Sequence, residues 1–211
     1  MLSKRYKLQG STLKLLKKTI AEILTSVSRA LQKVNPTQID ELVDLLLDTK
    51  KNNRQVLIIG AGRSGLVGRA FAMRLMHLNF DVHVIGETTT PAVDEEDILF
   101  AISGSGSTSI IITACKIAKK VGAKIVALTS QRSSPLGRYC DQMVVIRGRT
   151  KDTVQRDYFS RQILGVHEPL APLGTIFETA VSVFLDGLIV ELMSRLGKTE
   201  DEMRKRHATI E

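Results

Sequence analysis

The chain has 211 residues, 43% hydrophobic and 25% charged, which suits one α/β domain with appendages and a sizeable core. Its 30 Lys and Arg outnumber 22 Asp and Glu, giving a formal charge of +8, but they are spread over both ends and the middle, and three Tyr and six Phe offer few rings for base stacking. Anionic small molecules, rather than nucleic acid, are the partners this balance favours, and the lack of any long apolar run or leader-like N-terminus disfavours membrane spanning and secretion and leads us to expect a cytoplasmic protein.

Residues 12–34 place Leu13, Leu16, Ile20, Ile23, Leu24, Val27, Leu31 and Val34 at the 3–4 spacing of an amphipathic helix. Asn35-Pro36-Thr37 breaks it, and Ile39, Leu42, Val43, Leu46 and Leu47 mark a second helix. Two such helices ahead of the first strand need a surface to cover, either the sheet domain or another subunit. Residues 1–50 are therefore assigned to an N-terminal helical extension and 51–211 to the main domain with its helical tail. The strand Gln55 to Ile59 leads into Gly60-Ala61-Gly62-Arg63-Ser64-Gly65 and a helix over 64–78, followed by a strand from Val82 to Ile85. The glycines fit the G-x-G-x-x-G pattern of dinucleotide-binding folds, with Glu87 about where a ribose-binding acid stands. Arg63 and Ser64 suit a monophosphate or sugar hydroxyls better.

Phe100-Ala101-Ile102 ends abruptly in Ser103-Gly104-Ser105-Gly106-Ser107-Thr108-Ser109, and an apolar-periodic helix begins at Ile110. A strand, a hydroxyl-rich turn and a helix N-terminus together make a phosphate site, because first-turn N–H groups lack partners and lie at the positive end of the helix dipole. Gly104 and Gly106 permit close approach, while Ser103, Ser105, Ser107 and Thr108 can donate hydroxyl hydrogen bonds. A flexible Gly/Ser turn with a capping serine is the plainer reading. No Lys follows the last glycine, unlike a P-loop. Further strands at Lys124 to Leu128 and Met143 to Ile146 flank a loop and short helix over 129–136. Strand and helix alternate five times with continuous Val/Ile/Leu strands, the pattern of a parallel sheet covered on both faces. Ligands of such sheets bind beyond the carboxyl ends of the strands, where Ser64, Glu87, Ser103 and Thr129 fall.

Residues 147–172 are polar and irregular, and a strongly apolar helix through Ile176 to Met193 follows, expected to be largely buried. Glu178 in its first turn is either a dipole partner or, beside a ligand cleft, a tuned general base. The tail from Met203 to Glu211 reads as a basic helix, in which His207 is either solvated or a proton shuttle at neutral pH. Cys115 and Cys140, without C-x-x-C spacing, read as reduced core thiols, and no His/Cys/Asp cluster has metal-ligand spacing.

Taken together, Gly60-Ala61-Gly62-Arg63-Ser64-Gly65, Gly86-Glu87-Thr88-Thr89-Thr90-Pro91 and Ile102-Ser103-Gly104-Ser105-Gly106 resemble sugar isomerase (SIS) domains. Leu173-Gly174-Thr175-Ile176-Phe177-Glu178 and Arg206-His207-Ala208-Thr209-Ile210-Glu211 narrow the resemblance to the 6-phospho-3-hexuloisomerase family, over essentially the whole chain. Ser107 departs from the Glu or Lys that many SIS domains carry before the threonine. The resemblance implies a flavodoxin-like three-layer α/β/α sandwich with a five-stranded parallel sheet, usually a homotetramer with its site at a subunit contact, and no metal or organic cofactor. It implies interconversion of 3-hexulose 6-phosphate and fructose 6-phosphate through an enediolate, in the ribulose monophosphate pathway beside 3-hexulose-6-phosphate synthase, which joins formaldehyde to ribulose 5-phosphate. Glu178 is then the candidate base and His207 the shuttle, while Gly62, Arg63, Ser64, Glu87, Ser103, Gly104, Ser105, Ser107 and Thr108 are candidates to hold the substrate and its phosphate. Arabinose 5-phosphate isomerase, a non-catalytic phosphosugar-binding SIS module and an NAD enzyme are the alternatives.

Overall fold

The strands β1 (Gln55–Gly60), β2 (Asp81–Val84), β3 (Ile98–Ile102), β4 (Lys124–Thr129) and β5 (Gln142–Val145) pair in parallel in the order β2-β1-β3-β4-β5. The structure is a computed structural model that describes residues 12–148, 170–207 and 209. Side chains alternate across the sheet as the strand period of two requires. Val56, Ile58, Ile98, Phe100 and Ile102 face one side, and Leu57, Ile59, Leu99 and Ala101 the other. Both faces are covered, so the central strands β1, β3 and β4 are apolar along their buried lengths, while the edge strand β2 carries Asp81 and His83.

Helix α3 (Arg63–His77) carries the chain from β1 outward to β2, and α4 (Ser109–Val121) carries it from β3 to β4 in the opposite direction. Crossovers between parallel strands are right-handed, so helices serving opposite directions lie on opposite faces. Phe71 and Leu75 of α3 accordingly pack on the Phe100 face, and Ile111, Cys115 and Ala118 of α4 on the Leu99 face. The reversal opens a crevice between β1 and β3. Their register runs from Val56 beside Ile98 to Gly60 beside Ile102, so both strands end level and the two turns beyond them stand side by side.

The remaining helices lie with α3. Helices α1 (Thr12–Leu31), α2 (Pro36–Lys51) and α5 (Thr175–Leu196) place Val27, Leu42, Leu46, Phe184 and Leu188 in the same core, and Met203 of α6 (Glu200–Arg204) joins them. The first helix stops at Leu31, three residues before the expected end, because Asn35 caps the next one with Oδ1 accepting from the Thr37 N–H at 3.0 Å and Pro36 opens its first turn. The short helix expected within 129–136 is a 3₁₀ turn at Leu136–Arg138. The expected tail helix from Met203 is confined to α6, which a Thr199–Glu202 capping box starts and which ends at Arg204. Of the irregular stretch expected over 147–172, residues 149–169 lie outside the described ones, as do 208, 210 and 211 of the tail.

Burial of α5 is one-sided. Phe177, Val181, Leu185 and Leu192 are enclosed, whereas Val183 and Val190 remain exposed. Leu13, Leu16, Ile20 and Leu24 form a second uncovered stripe, since α1 has no buried side chain between Leu13 and Ser26. No helix among the described residues is long and apolar enough to cross a membrane.

Candidate active site

Beyond the ends of β1 and β3 lies a cleft of about 280 Å³. One wall is Ala61 and Ser64, a second is Ser103, Gly104, Ser105 and Thr108, and the third is Leu173, Gly174, Phe177 and Glu178. Each wall is the start of a helix. The N-caps of α3, α4 and α5 are Gly62, Thr108 and Gly174, and none makes a side-chain hydrogen bond to the first turn. Three sets of backbone N–H groups at the positive ends of helix dipoles are thus uncapped around one cavity, an environment made for an anion.

Close backbone approach fixes these walls. A Cβ on Gly60 would come within 2.8 Å of the Gly65 nitrogen and one on Gly65 within 2.7 Å of the Gly60 oxygen, so two of the three patterned glycines let β1 and α3 touch. Ser64 is thereby held nearly buried at the cleft. In the second wall Ser103 Oγ accepts the Gly106 N–H at 3.2 Å and lies 3.4 Å from Thr108 Oγ1, which closes the turn on itself. Phe177 lies flat enough against Gly104 that a Cβ there would meet its ring at 2.9 Å, which locks the hydroxyl-rich turn to the start of α5. The segment before α5 is tied to α1, whose Glu22 Oε1 accepts the Leu170 N–H at 2.9 Å.

Glu178 is the acid of the site. Its side chain is 15% exposed, and its Oε2 accepts from Arg63 Nε at 3.3 Å, while Arg63 itself is 61% exposed at the rim. Burial pushes the Glu178 carboxyl above its ordinary value, although the Arg63 charge and hydrogen bond pull the other way. A carboxylate that is costly to charge and points into a cleft is a stronger base than a solvated one.

The structure therefore brings together Ser64, Ser103, Gly104, Ser105, Thr108 and Glu178, with Arg63 attached to Glu178. Gly62 shapes the turn ahead of α3 without lining the cleft. Ser107 stands behind Ser105, its hydroxyl donating to Ser105 Oγ at 3.1 Å. Glu87 lies outside the cleft walls, 3.6 Å from Arg69 in an exposed pair. His207 is remote within the same chain, its ring stacked on His77 at 4.1 Å between centroids. His77 ends α3 and Arg63 begins it, so ~20 Å of helix separates the two stations. Sequence reading missed the apolar lining of Ile102, Ile111 and Leu173, and also Gly174 and Phe177. Ile102, Leu173, Gly174 and Phe177 stand in the stretches that carry the family resemblance, and Gly174 is also a glycine ahead of a helix, whereas Ile111 left no signal.

Residues 50–159 match the SIS domain. An uncharacterized protein of Aeropyrum pernix is 52% identical over 194 residues, 92% of either chain. A 3-hexulose-6-phosphate isomerase of Bacillus subtilis is 33% identical over 192 residues, 91% of this chain and 97% of its own. Among solved structures, a Methanococcus jannaschii protein with an inferred molecular function of 3-hexulose-6-phosphate isomerase superposes with a TM-score of 0.74 at 32% identity, covering 92% of this chain and 99% of that one.

Proposed function

Since the chain belongs to the SIS-domain family, we propose that it is a phosphosugar isomerase that interconverts 3-hexulose 6-phosphate and fructose 6-phosphate. The observation that carries this reading is the position of Glu178. It is a half-buried carboxylate across one cleft from the hydroxyl-rich turn, at the carboxyl ends of β1 and β3.

Moving a carbonyl between C3 and C2 removes a proton from one carbon and returns it to its neighbour through an enediolate. The substrate phosphate sits against Ser103, Ser105 and Thr108, where hydroxyls and uncapped helix N-termini converge, and Ser64 holds a further polar group of the sugar. Binding at that end positions C2 and C3, so remote contacts contribute to catalysis at the reacting carbons. Glu178 takes the carbon-bound proton. Arg63 keeps its carboxylate ionised and aimed, and places a positive charge where negative charge develops. The proton shuttle between the two oxygens is His207 of a neighbouring copy, because the His207 of the same chain stands at the far end of α3.

That requirement agrees with the uncovered apolar stripes of α1 and α5, which a homotetramer would cover. The substrate reaches this enzyme from a synthase that condenses formaldehyde with ribulose 5-phosphate. The direct test feeds formaldehyde and ribulose 5-phosphate to 3-hexulose-6-phosphate synthase, adds the chain, and follows fructose 6-phosphate. Product formed only when both proteins are present supports the reading. Conversion of arabinose 5-phosphate, with none of the hexulose phosphate, overturns it in favour of a different sugar.

A further inference from the structure

Gly104 and Ser105 line the cleft, yet the Gly104 carbonyl is held from behind it. That oxygen accepts the Ser130 backbone N–H at 3.1 Å and the Ser130 hydroxyl at 2.6 Å, with Thr129 Oγ1 at 3.5 Å. Neither Thr129 nor Ser130 is part of the cleft wall. Both lie where β4 ends, one strand further along the sheet than the strand that carries the turn. Two peptide units on, the Gly106 oxygen accepts the Leu136 N–H at 2.9 Å, so the same loop holds the turn at a second point.

A peptide unit is planar and trans, so its C=O and N–H point in opposite directions. Fixing the Gly104 carbonyl toward β4 therefore aims the N–H of Ser105 away from β4, toward the cavity its residue lines. A donor aimed before the anion arrives needs no reorganisation to meet it. Resting on the phosphosugar reading of the cleft, we propose that Ser130 is a positioning residue for phosphate recognition: its hydroxyl, which touches no substrate, locks the Gly104–Ser105 peptide with the N–H presented to the phosphate. Removing the hydroxyl leaves the longer backbone bond in place, so the turn persists but its peptide plane is free to tilt.

The test compares Ser130→Ala and Ser130→Thr in the full chain, with inorganic phosphate as the calorimetric probe and 3-hexulose 6-phosphate as the kinetic one. The loss of one strong orienting bond predicts that Ser130→Ala raises the phosphate Kd and the substrate KM together, by about three- to tenfold, with kcat within about twofold of wild type. Ser130→Thr keeps the hydroxyl and stays close to wild type in both. A phosphate Kd unchanged in Ser130→Ala overturns the proposal, and so does a loss that Ser130→Thr shares. A fall in kcat at constant KM overturns it as well, since that pattern belongs to the reacting carbons. Wild-type protein that binds phosphate but turns over no hexulose phosphate refutes the isomerase reading alone, because the Ser130 comparison is read from phosphate binding.

Discussion

Gly174 offers a test of where the base must stand. It sits at φ +89°, and a Cβ there would lie 2.8 Å from Glu178 Oε2 and 3.0 Å from Oε1. Ordinary contact begins near ~3.5 Å, so the carboxylate of a Gly174→Ala variant must retreat by roughly half an ångström or more. The retreat also disturbs its 3.3 Å bond to Arg63. Misplacing a reacting group by about 1 Å costs on the order of 10²-fold, so kcat should fall by about 10- to 100-fold. The backbone strain of an L-residue at positive φ adds a stability loss of about 1–2 kcal/mol. Gly197 supplies the control, because it also lies at positive φ, +63°, with nothing within 4 Å of its added Cβ. Gly197→Ala should show a comparable loss in thermal stability and an unaltered kcat. The assay is exchange of the substrate's carbon-bound proton with solvent deuterium, followed by NMR beside thermal melts of both variants. Equal kcat values in the two variants would refute the reasoning, since Glu178 would then not be the group whose placement limits proton transfer.

Replacing Glu178 by Gln should lower kcat by on the order of 10²–10⁴ while leaving phosphate affinity nearly intact, as measured by deuterium exchange and calorimetry. The same variant reads the linkage of charge to folding. The Glu178 carboxyl titrates above its ordinary value in the folded chain, so its charge costs stability, not at all below the ordinary glutamate value and fully once pH exceeds the raised one. Across that window the melting temperature of wild type should fall relative to Glu178→Gln. Arg63→Met removes the charge that favours the carboxylate, so the acid limb of the pH–rate profile should move to higher pH. A limb that stays put would detach Arg63 from the base. For assembly, mixing Glu178→Gln chains with His207→Asn chains should restore activity that neither has alone, provided reassembled oligomers form by light scattering.

The fold was legible because burial repeats at two clear periods. Continuous apolar runs such as Phe100-Ala101-Ile102 gave the covered parallel strands, and the 3–4 spacing in α3 and α4 gave the helices between them. The carboxyl-end rule then located Ser64 and the Ser103–Thr108 turn, which the structure joins in one cleft. Element ends were less legible, since they depend on single capping contacts such as Asn35 on Thr37 and Thr199 on Glu202. The second ring of the site was illegible for a different reason. Phe177 on Gly104, and Ser130 on the Gly104 carbonyl, are contacts between residues far apart in sequence, and only the sheet order brings β4 beside β3.

Glu178 and His207 divide the same way. Glu178 follows from local sequence, as an acid in the first turn of an apolar helix whose start the sheet edge places at the cleft. His207 has no such local tie. It follows a five-residue helix whose position is set by Met203 in the core, and that anchor holds it beside His77 at the amino-terminal edge of the sheet. A doubly wound sheet keeps its strand ends a full α3 length apart, ~20 Å, so no side-chain rotation brings that imidazole to the Glu178 of its own chain. Proton transfer that uses both residues therefore needs two chains. The exposed Val183 and Val190 of α5, and the Leu16 and Leu24 stripe of α1, offer apolar surface that a second chain could cover.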